Sequence, residues 1–271
     1  MRYTVRGDNP VYPNEVKIKI SRKDDAKPRK IWYNSIYGAD MQALLQPAIA
    51  YQALVKEVAE ICLSCGRNPK EVKILPVVKY ATTKQIANLL TDKTIKYVAE
   101  SRLQDSLKKW ESAELKPYKV KKFFIGRLQK NKAAKVLEYF DLICSVDSLN
   151  LAQFVDKKAK EKNKIAECLV QVKLTGKDTQ SGVSLDEAGA LIKAILSTCK
   201  NIKLKGLMAI APQASEDLIE QKFLAVKKLF DKYFKPSDIL SLGMSEDYKI
   251  AIKSGSNLVR IGSKIFESSE E

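Results

Sequence analysis

From about residue 73 to the end of the chain, short apolar, β-branched runs alternate with amphipathic helical stretches, and this rhythm limits the possible folds more than any other feature. The strand-like runs are Lys73–Lys79 (KILPVVK), Tyr97–Ser101 (YVAES), Lys122–Gly126 (KFFIG) and Leu142–Val146 (LICSV). They continue with Cys168–Leu174 (CLVQVKL), Leu204–Ile210 (LKGLMAI), Ile239–Gly243 (ILSLG) and Leu258–Gly262 (LVRIG). Between them lie helical stretches such as Ser148–Lys160, Ser184–Thr198 and Glu216–Tyr233, with Ser148, Ser184 and Ser215 as natural N-caps. Strands and helices in alternation imply βαβ units and a parallel sheet. Eight such units within roughly 200 residues predict a closed (β/α)8 barrel. The alternative is an open doubly wound sheet, but no GxGxxG follows the first strand.

Residues 1–38 lack this rhythm. Gly7, Pro10, Pro13, Pro28 and Gly38 interrupt the segment, and only Val16–Ile20 (VKIKI) alternates like a short strand. The expected organisation is an irregular basic arm over 1–38, suited to docking, followed by a single barrel over 39–271. The densest basic run, Lys17–Lys30, falls in the arm. From Met41 to Cys65 the apolar spacing is helical, and Gly66 with Pro69 supplies the stop.

Composition removes several chemistries. The 271-residue chain contains no histidine, which excludes Ser-His and Cys-His nucleophile pairs and His-ligated metals. Its five cysteines form no secreted-domain framework. Cys62 and Cys65 make a CxxC inside a helical stretch with no second pair, so two ordinary helix cysteines are expected and no metal. No run reaches the roughly 18 apolar residues of a membrane span. The start has neither a signal core nor a convincing transit helix, which predicts an intracellular protein, cytoplasmic or, after loss of a transit peptide, in the mitochondrial matrix. The charge of +16, from 48 Lys and Arg against 32 Asp and Glu, favours acidic partners such as nucleic acid or an acidic subunit. Lysine is spread along the whole chain, however, as on a solvated basic surface.

In a (β/α)8 barrel the functional side chains sit at the C-terminal ends of strands and in the loops that follow. Three places there carry chemistry. Lys79 ends the run ILPVVK, so its amine stands at the barrel mouth above an apolar stem, where it could condense with an aldehyde. It could equally be a strand-end lysine reaching for water. The seventh loop, Gly243-Met244-Ser245-Glu246-Asp247, places a serine and two acids at a helix start, either as a cap or as a seat for phosphate. Arg260-Ile261-Gly262-Ser263 ends the eighth strand, with a small turn that lets backbone approach an anion. A strand-one lysine facing a two-loop phosphate cradle fits an aldehyde-bearing phosphate cofactor.

The chain resembles the pyridoxal-phosphate homeostasis proteins, whose barrel is related to the N-terminal domain of alanine racemase. The resemblance runs from about Tyr51 to Phe266 and is carried by Cys65–Lys79 (CGRNPKEVKILPVVK), Phe123–Lys132 (FFIGRLQKNK), Cys144–Ser148 (CSVDS), Lys205–Ile210 (KGLMAI) and, above all, Ser241–Phe266. It implies that Lys79 holds pyridoxal 5′-phosphate as an internal aldimine. Ser245, Gly262 and Ser263, with Gly243 and Met244, would surround the phosphate, and Arg260 would face the pyridine nitrogen and keep it unprotonated. The family's Gly-Glu-Asn-Arg reads here Ala99-Glu100-Ser101-Arg102, and its Trp-His-Phe-Ile-Gly-His reads Lys122-Phe123-Phe124-Ile125-Gly126-Arg127. A further asparagine is replaced by Lys173.

Racemases of this fold add a β-rich domain, for which the five residues after Phe266 leave no room. The expectation is a protein without turnover that carries pyridoxal phosphate in vitamin B6 homeostasis and passes it to apoenzymes. The alternative is a barrel recruited as a structural subunit of a larger assembly, mitochondrial or ribonucleoprotein, through the basic arm.

Overall fold

The computed structural model describes Val5–Arg6, Lys17–Ile18 and 39–46 in backbone alone, and 47–175 and 181–266 with side chains. Two compact units are present, Met1–Gln42 and Ala43–Glu271. In the first, β1 (Val5–Arg6) pairs antiparallel with β2 (Lys17–Ile18), inside the expected VKIKI strand. The rest of the arm expected over 1–38 lies outside the described residues. Helix α1 (Ala39–Ser64) ends at Gly66, whose φ of +70° is the left-handed conformation that closes a helix without a Cβ penalty.

All eight expected strands form. They are β3 (Lys73–Pro76), β4 (Tyr97–Glu100), β5 (Lys121–Phe124), β6 (Leu142–Val146), β7 (Ala166–Lys173), β9 (Ile202–Ile210), β10 (Ile239–Ser241) and β11 (Leu258–Ile261); β8 (Val183–Ser184) is a short addition beside β7. One parallel sheet runs β10-β9-β7-β6-β5-β4, and β11 pairs parallel with β3. Two seams close the ring. Val78 N donates to Ala99 O (2.9 Å) between β3 and β4, while Asn257 N donates to Leu240 O (3.0 Å) and Arg260 N to Gly243 O (3.0 Å) between β10 and β11. The open-sheet alternative is thereby set aside.

The period-two alternation of a strand sorts side chains to the two faces of this ring. On β3 and its extension, Leu75 and Val77 face into the barrel with Ala99, Phe123, Leu142, Cys144, Leu169, Met208 and Leu258. Ile74 and Val78 face out, against α1 and α2 (Thr83–Leu89). Lys79 follows two residues after Val77, in the turn by which the chain leaves the strand end.

The helices bury one stripe each. On α7 (Glu216–Tyr233) the buried residues are Ile219, Phe223, Val226 and Phe230, the spacing of a single helical face. Ser148 caps α5 (Leu149–Glu161) and Ser184 caps α6 (Leu185–Thr198) through their hydroxyls, as expected. Ser215 occupies the N-cap of α7 without a side-chain cap bond; Glu216 and Asp217 answer the helix dipole instead. The remaining helices are α3 (Leu103–Trp110), α4 (Ala133–Tyr139), α8 (Tyr248–Lys253) and α9 (Ser263–Phe266).

Candidate cofactor site at the barrel mouth

The ends of β10, β11 and β3 are neighbours in the ring, which gathers all the candidate residues along one arc of the C-terminal rim. β11 lies in register with β3, Arg260 opposite Leu75 and Ile261 opposite Pro76. Val77 N then donates to Ile261 O (2.8 Å), setting Gly262 beside Val77, two residues before Lys79. A Cβ on Gly262 would stand 3.2 Å from Val77 O, closer than ordinary contact. Lys79 itself is half-buried, and its Nζ lies 4.8 Å from the centre of the exposed Tyr80 ring. Arg102 approaches the same ring at 5.5 Å.

Loop seven is shaped by Gly243, whose φ is +88°. A Cβ there would meet Ala251 Cβ at 2.6 Å and Tyr248 Cα at 2.9 Å, so only glycine lets α8 close onto the strand end. Asp247 Oδ1 accepts from Met244 N (2.6 Å), and Tyr248 N donates to Met244 O (2.9 Å), which folds the loop back on itself. The sequence reading of an acid-rich helix cap is therefore refined: Asp247 braces the turn and consumes the Met244 amide, while α8 begins only at Tyr248. Asp247 is buried, and that burial pushes its carboxyl up from the usual range. Ser245 and Ser263 are half-buried, and neither hydroxyl has a hydrogen-bond partner among the described residues.

Arg260 points into the barrel and is 3% exposed. Its Nη1 donates to Ser241 O (2.7 Å) and Ser241 Oγ (2.8 Å), and its Nη2 to Ala209 O (2.8 Å). Burial lowers its pKa to about 10, against the pull of nearby Cys144 and Asp247, so the group stays cationic at neutral pH. Among the described residues no carboxylate forms a salt bridge with it. A buried cation held only by carbonyls and a hydroxyl favours an electron-rich neighbour and penalises a second positive charge beside it.

An amine, two unpartnered hydroxyls, glycine-lined backbone and a buried cation on one arc fit an aldehyde that carries a phosphate and an aromatic nitrogen. The altered positions scatter. Ser101 and Arg127 line a hollow of about 230 Å³ on the neighbouring arc, with Arg102, Phe124 and Lys132. Lys173 ends β7, also on the rim. Lys122 and Phe123, by contrast, sit deeper: Lys122 lies over the Trp110 ring, and Phe123 stacks on Tyr97 (5.3 Å) within the barrel. A hollow of about 940 Å³ opens at the opposite end, at the starts of β4 to β7, where Lys96, Lys121, Asp141 and Ala166 line it. It touches none of the mouth residues and follows from the gaps between exposed strand starts.

Two residues escaped the sequence reading. Lys109, from α3, reaches the end of β3, and Ser241 anchors Arg260. Ser241 has the inward parity of its strand and could have been found from that alone. Lys109 is one of many lysines on an amphipathic helix, with nothing in its spacing to single it out.

The sequence matches the family described as alanine racemase, N-terminal domain, over residues 49–270. A pyridoxal phosphate homeostasis protein of Helicobacter pylori is 37% identical over 198 residues, which cover 72% of this chain and 87% of that protein. One from Escherichia coli K12 is 32% identical over 216 residues, 78% and 91% of the two. The structure superposes on PipY of Synechococcus elongatus, solved with pyridoxal phosphate bound, with a TM-score of 0.66 at 28% identity over 77% of this chain and 99% of PipY. Alanine racemase of Clostridium difficile shares the fold, with a TM-score of 0.59 at 16% identity over 80% of this chain and 56% of the racemase. The barrel is thus of the alanine racemase N-terminal type. Within that class the chain belongs to the pyridoxal phosphate homeostasis protein family.

Proposed function

We propose that this protein binds pyridoxal 5′-phosphate without turning over a substrate, and serves vitamin B6 homeostasis by holding the cofactor and releasing it to apoenzymes. The observation that carries the reading is the convergence of Lys79 with loops seven and eight on one arc of the mouth. The names of the relatives and the cofactor bound to PipY support it.

Bound pyridoxal phosphate supplies an aldehyde and an electron-poor ring. Lys79 Nζ would be the group that holds the cofactor through that aldehyde. Ser245 and Ser263 would donate their hydroxyls to the phosphate, Gly243 and Gly262 would let backbone close around it, and Met244 shapes the turn. Arg260, a buried cation, would lie toward the ring nitrogen and disfavour a proton there, which would weaken the ring as an electron sink. A chain without histidine also lacks the usual acid–base partner near neutrality. Both points support a carrier over an enzyme.

Among the described residues no helix is long and apolar enough to cross a membrane. An intracellular setting is part of the proposal, and the bacterial relatives lend the mitochondrial reading no support. Docking of the basic arm to an assembly is a second reading, favoured by the charge of +16. The test is an absorption spectrum of the purified protein with added pyridoxal phosphate, followed by borohydride and peptide mapping. Covalent label on Lys79 is the expected result; a protein that stays colourless in excess cofactor overturns the carrier reading.

A further inference from the structure

The chain leaves β3 through a tight turn in which Ala81 N donates to Val78 O (3.2 Å), with Lys79 and Tyr80 at its two central places. A lysine from α3 grips this turn. Lys109 Nζ donates to Val78 O at 2.6 Å and to Lys79 O at 3.4 Å. Those two carbonyls belong to the peptide planes on either side of the Lys79 Cα. Fixing both planes sets the backbone dihedrals of Lys79, and with them the direction in which its side chain leaves the strand. One ammonium therefore orients the residue without touching its amine.

The remaining donor of Lys109 goes to Glu100 Oε1 (3.1 Å), at the end of β4, and Trp110 Nε1 donates to the same oxygen (3.2 Å). The pair is enclosed: the Lys109 side chain is 12% exposed and that of Glu100 is 1%. Glu100 Oε2 is buried with no partner, and burial pushes the carboxyl up more strongly than Lys109 and Trp110 pull it down. A carboxylate half-satisfied in this way is a costly element of a rim. What it secures here is the place of Lys109. The three donors of the ammonium are thereby matched to three acceptors, two of them on the turn that carries Lys79.

We propose that Lys109 and Glu100 form a positioning pair that fixes the backbone turn at Lys79 and so aims its amine into the barrel mouth. The inference rests on the reading of Lys79 as the cofactor-bearing residue. Lys109 acts through the peptide planes and Glu100 acts through Lys109.

The test uses the full chain and the variants Lys109→Met and Glu100→Gln/Lys109→Met; the second also removes the carboxylate that the first would strand. Without cofactor, mass spectrometry measures how fast an amine-acylating reagent modifies Lys79 relative to exposed Lys228. With pyridoxal phosphate, a titration gives the affinity, and circular dichroism reports the fold. Both variants should stay folded, shift the relative reactivity of Lys79 and lose at least about tenfold in affinity, the scale of a hydrogen bond to a charged group. Folded variants with unchanged reactivity and affinity overturn the proposal. So does loading that disappears only where the fold has gone in both variants, which makes the pair a structural strut. If the parent chain takes up no cofactor the carrier reading fails, while the reactivity of Lys79 still decides the positioning role.

Discussion

The rim of the barrel divides into two arcs of different chemical character. Along β10, β11 and β3 stand Gly243, Ser245, Arg260, Gly262, Ser263 and Lys79, all as the resemblance to the pyridoxal phosphate homeostasis proteins expects. Along β4, β5 and β7 stand Ser101, Arg127 and Lys173, where that resemblance expects other side chains. Backbone packing does not separate the arcs. A Cβ on Gly126 would fall 2.0 Å from Ser101 O, as tight an approach as any at Gly243. What differs is the side-chain chemistry laid over a shared backbone mould. One arc carries the groups proposed to hold the reactive and charged ends of a cofactor; the other has Ser101 and Arg127 at a small hollow and Lys173 at the end of β7. On the proposed function, tight binding needs the first arc, and the second adjusts what is bound there.

That division orders the expected effects of mutation. Lys79→Ala removes the only atom proposed to bond the aldehyde, so borohydride should fix no label, while the thermal midpoint stays near the parent value because the side chain is half-buried at a strand end. Labelling that persists at another lysine would move the site. Gly243→Ala should come next. The forced φ of +88° and the clash with Ala251 and Tyr248 are expected to cost about 1–3 kcal/mol, measured by denaturant unfolding, with weaker cofactor uptake as loop seven shifts. Gly66→Ala is its control: φ is also positive, but a Cβ there meets nothing within 4 Å, so stability should fall less and uptake not at all. Ser245→Ala and Ser263→Ala should each weaken binding by about 0.5–1.5 kcal/mol, the net worth of one hydrogen bond. Unchanged affinity in both would place the phosphate elsewhere.

How these arcs arise was only partly legible in the sequence. The strands could be read because a buried parallel strand is a compact β-branched run, and LICSV or KILPVVK says so without help from distant residues. Inward parity within a strand, too, follows from sequence once one of its residues is placed. Loop seven resisted, since GMSED looks the same whether Asp247 caps a helix or braces a turn; the choice depends on Gly243 admitting α8 against the strand. The Glu100–Lys109 pair was out of reach for a different reason. It joins two elements nine residues apart to a third 30 residues from Lys109, and no local spacing encodes where a lysine on a helix will end.

The smallest effect bears most directly on the difference between the arcs. If the second arc merely tunes a site built by the first, restoring Ser101→Asn and Arg127→His should change cofactor affinity by only about 0.5–1 kcal/mol, a few-fold, since each swap exchanges one or two polar contacts at a half-buried or exposed rim. The two residues line one hollow, so their effects should couple, and the double variant measured beside both singles gives the coupling. Arg127→His also removes a cation next to Arg102 and Lys132 at neutral pH. Its effect should therefore shrink as salt rises and screens the charges, whereas that of Ser101→Asn should not. A gain of a hundredfold or more would break the comparison, because the altered arc would then control binding and the phosphate arc alone would be too weak to load. A few-fold change, salt-dependent only at Arg127, is what a rim that adjusts a finished site produces.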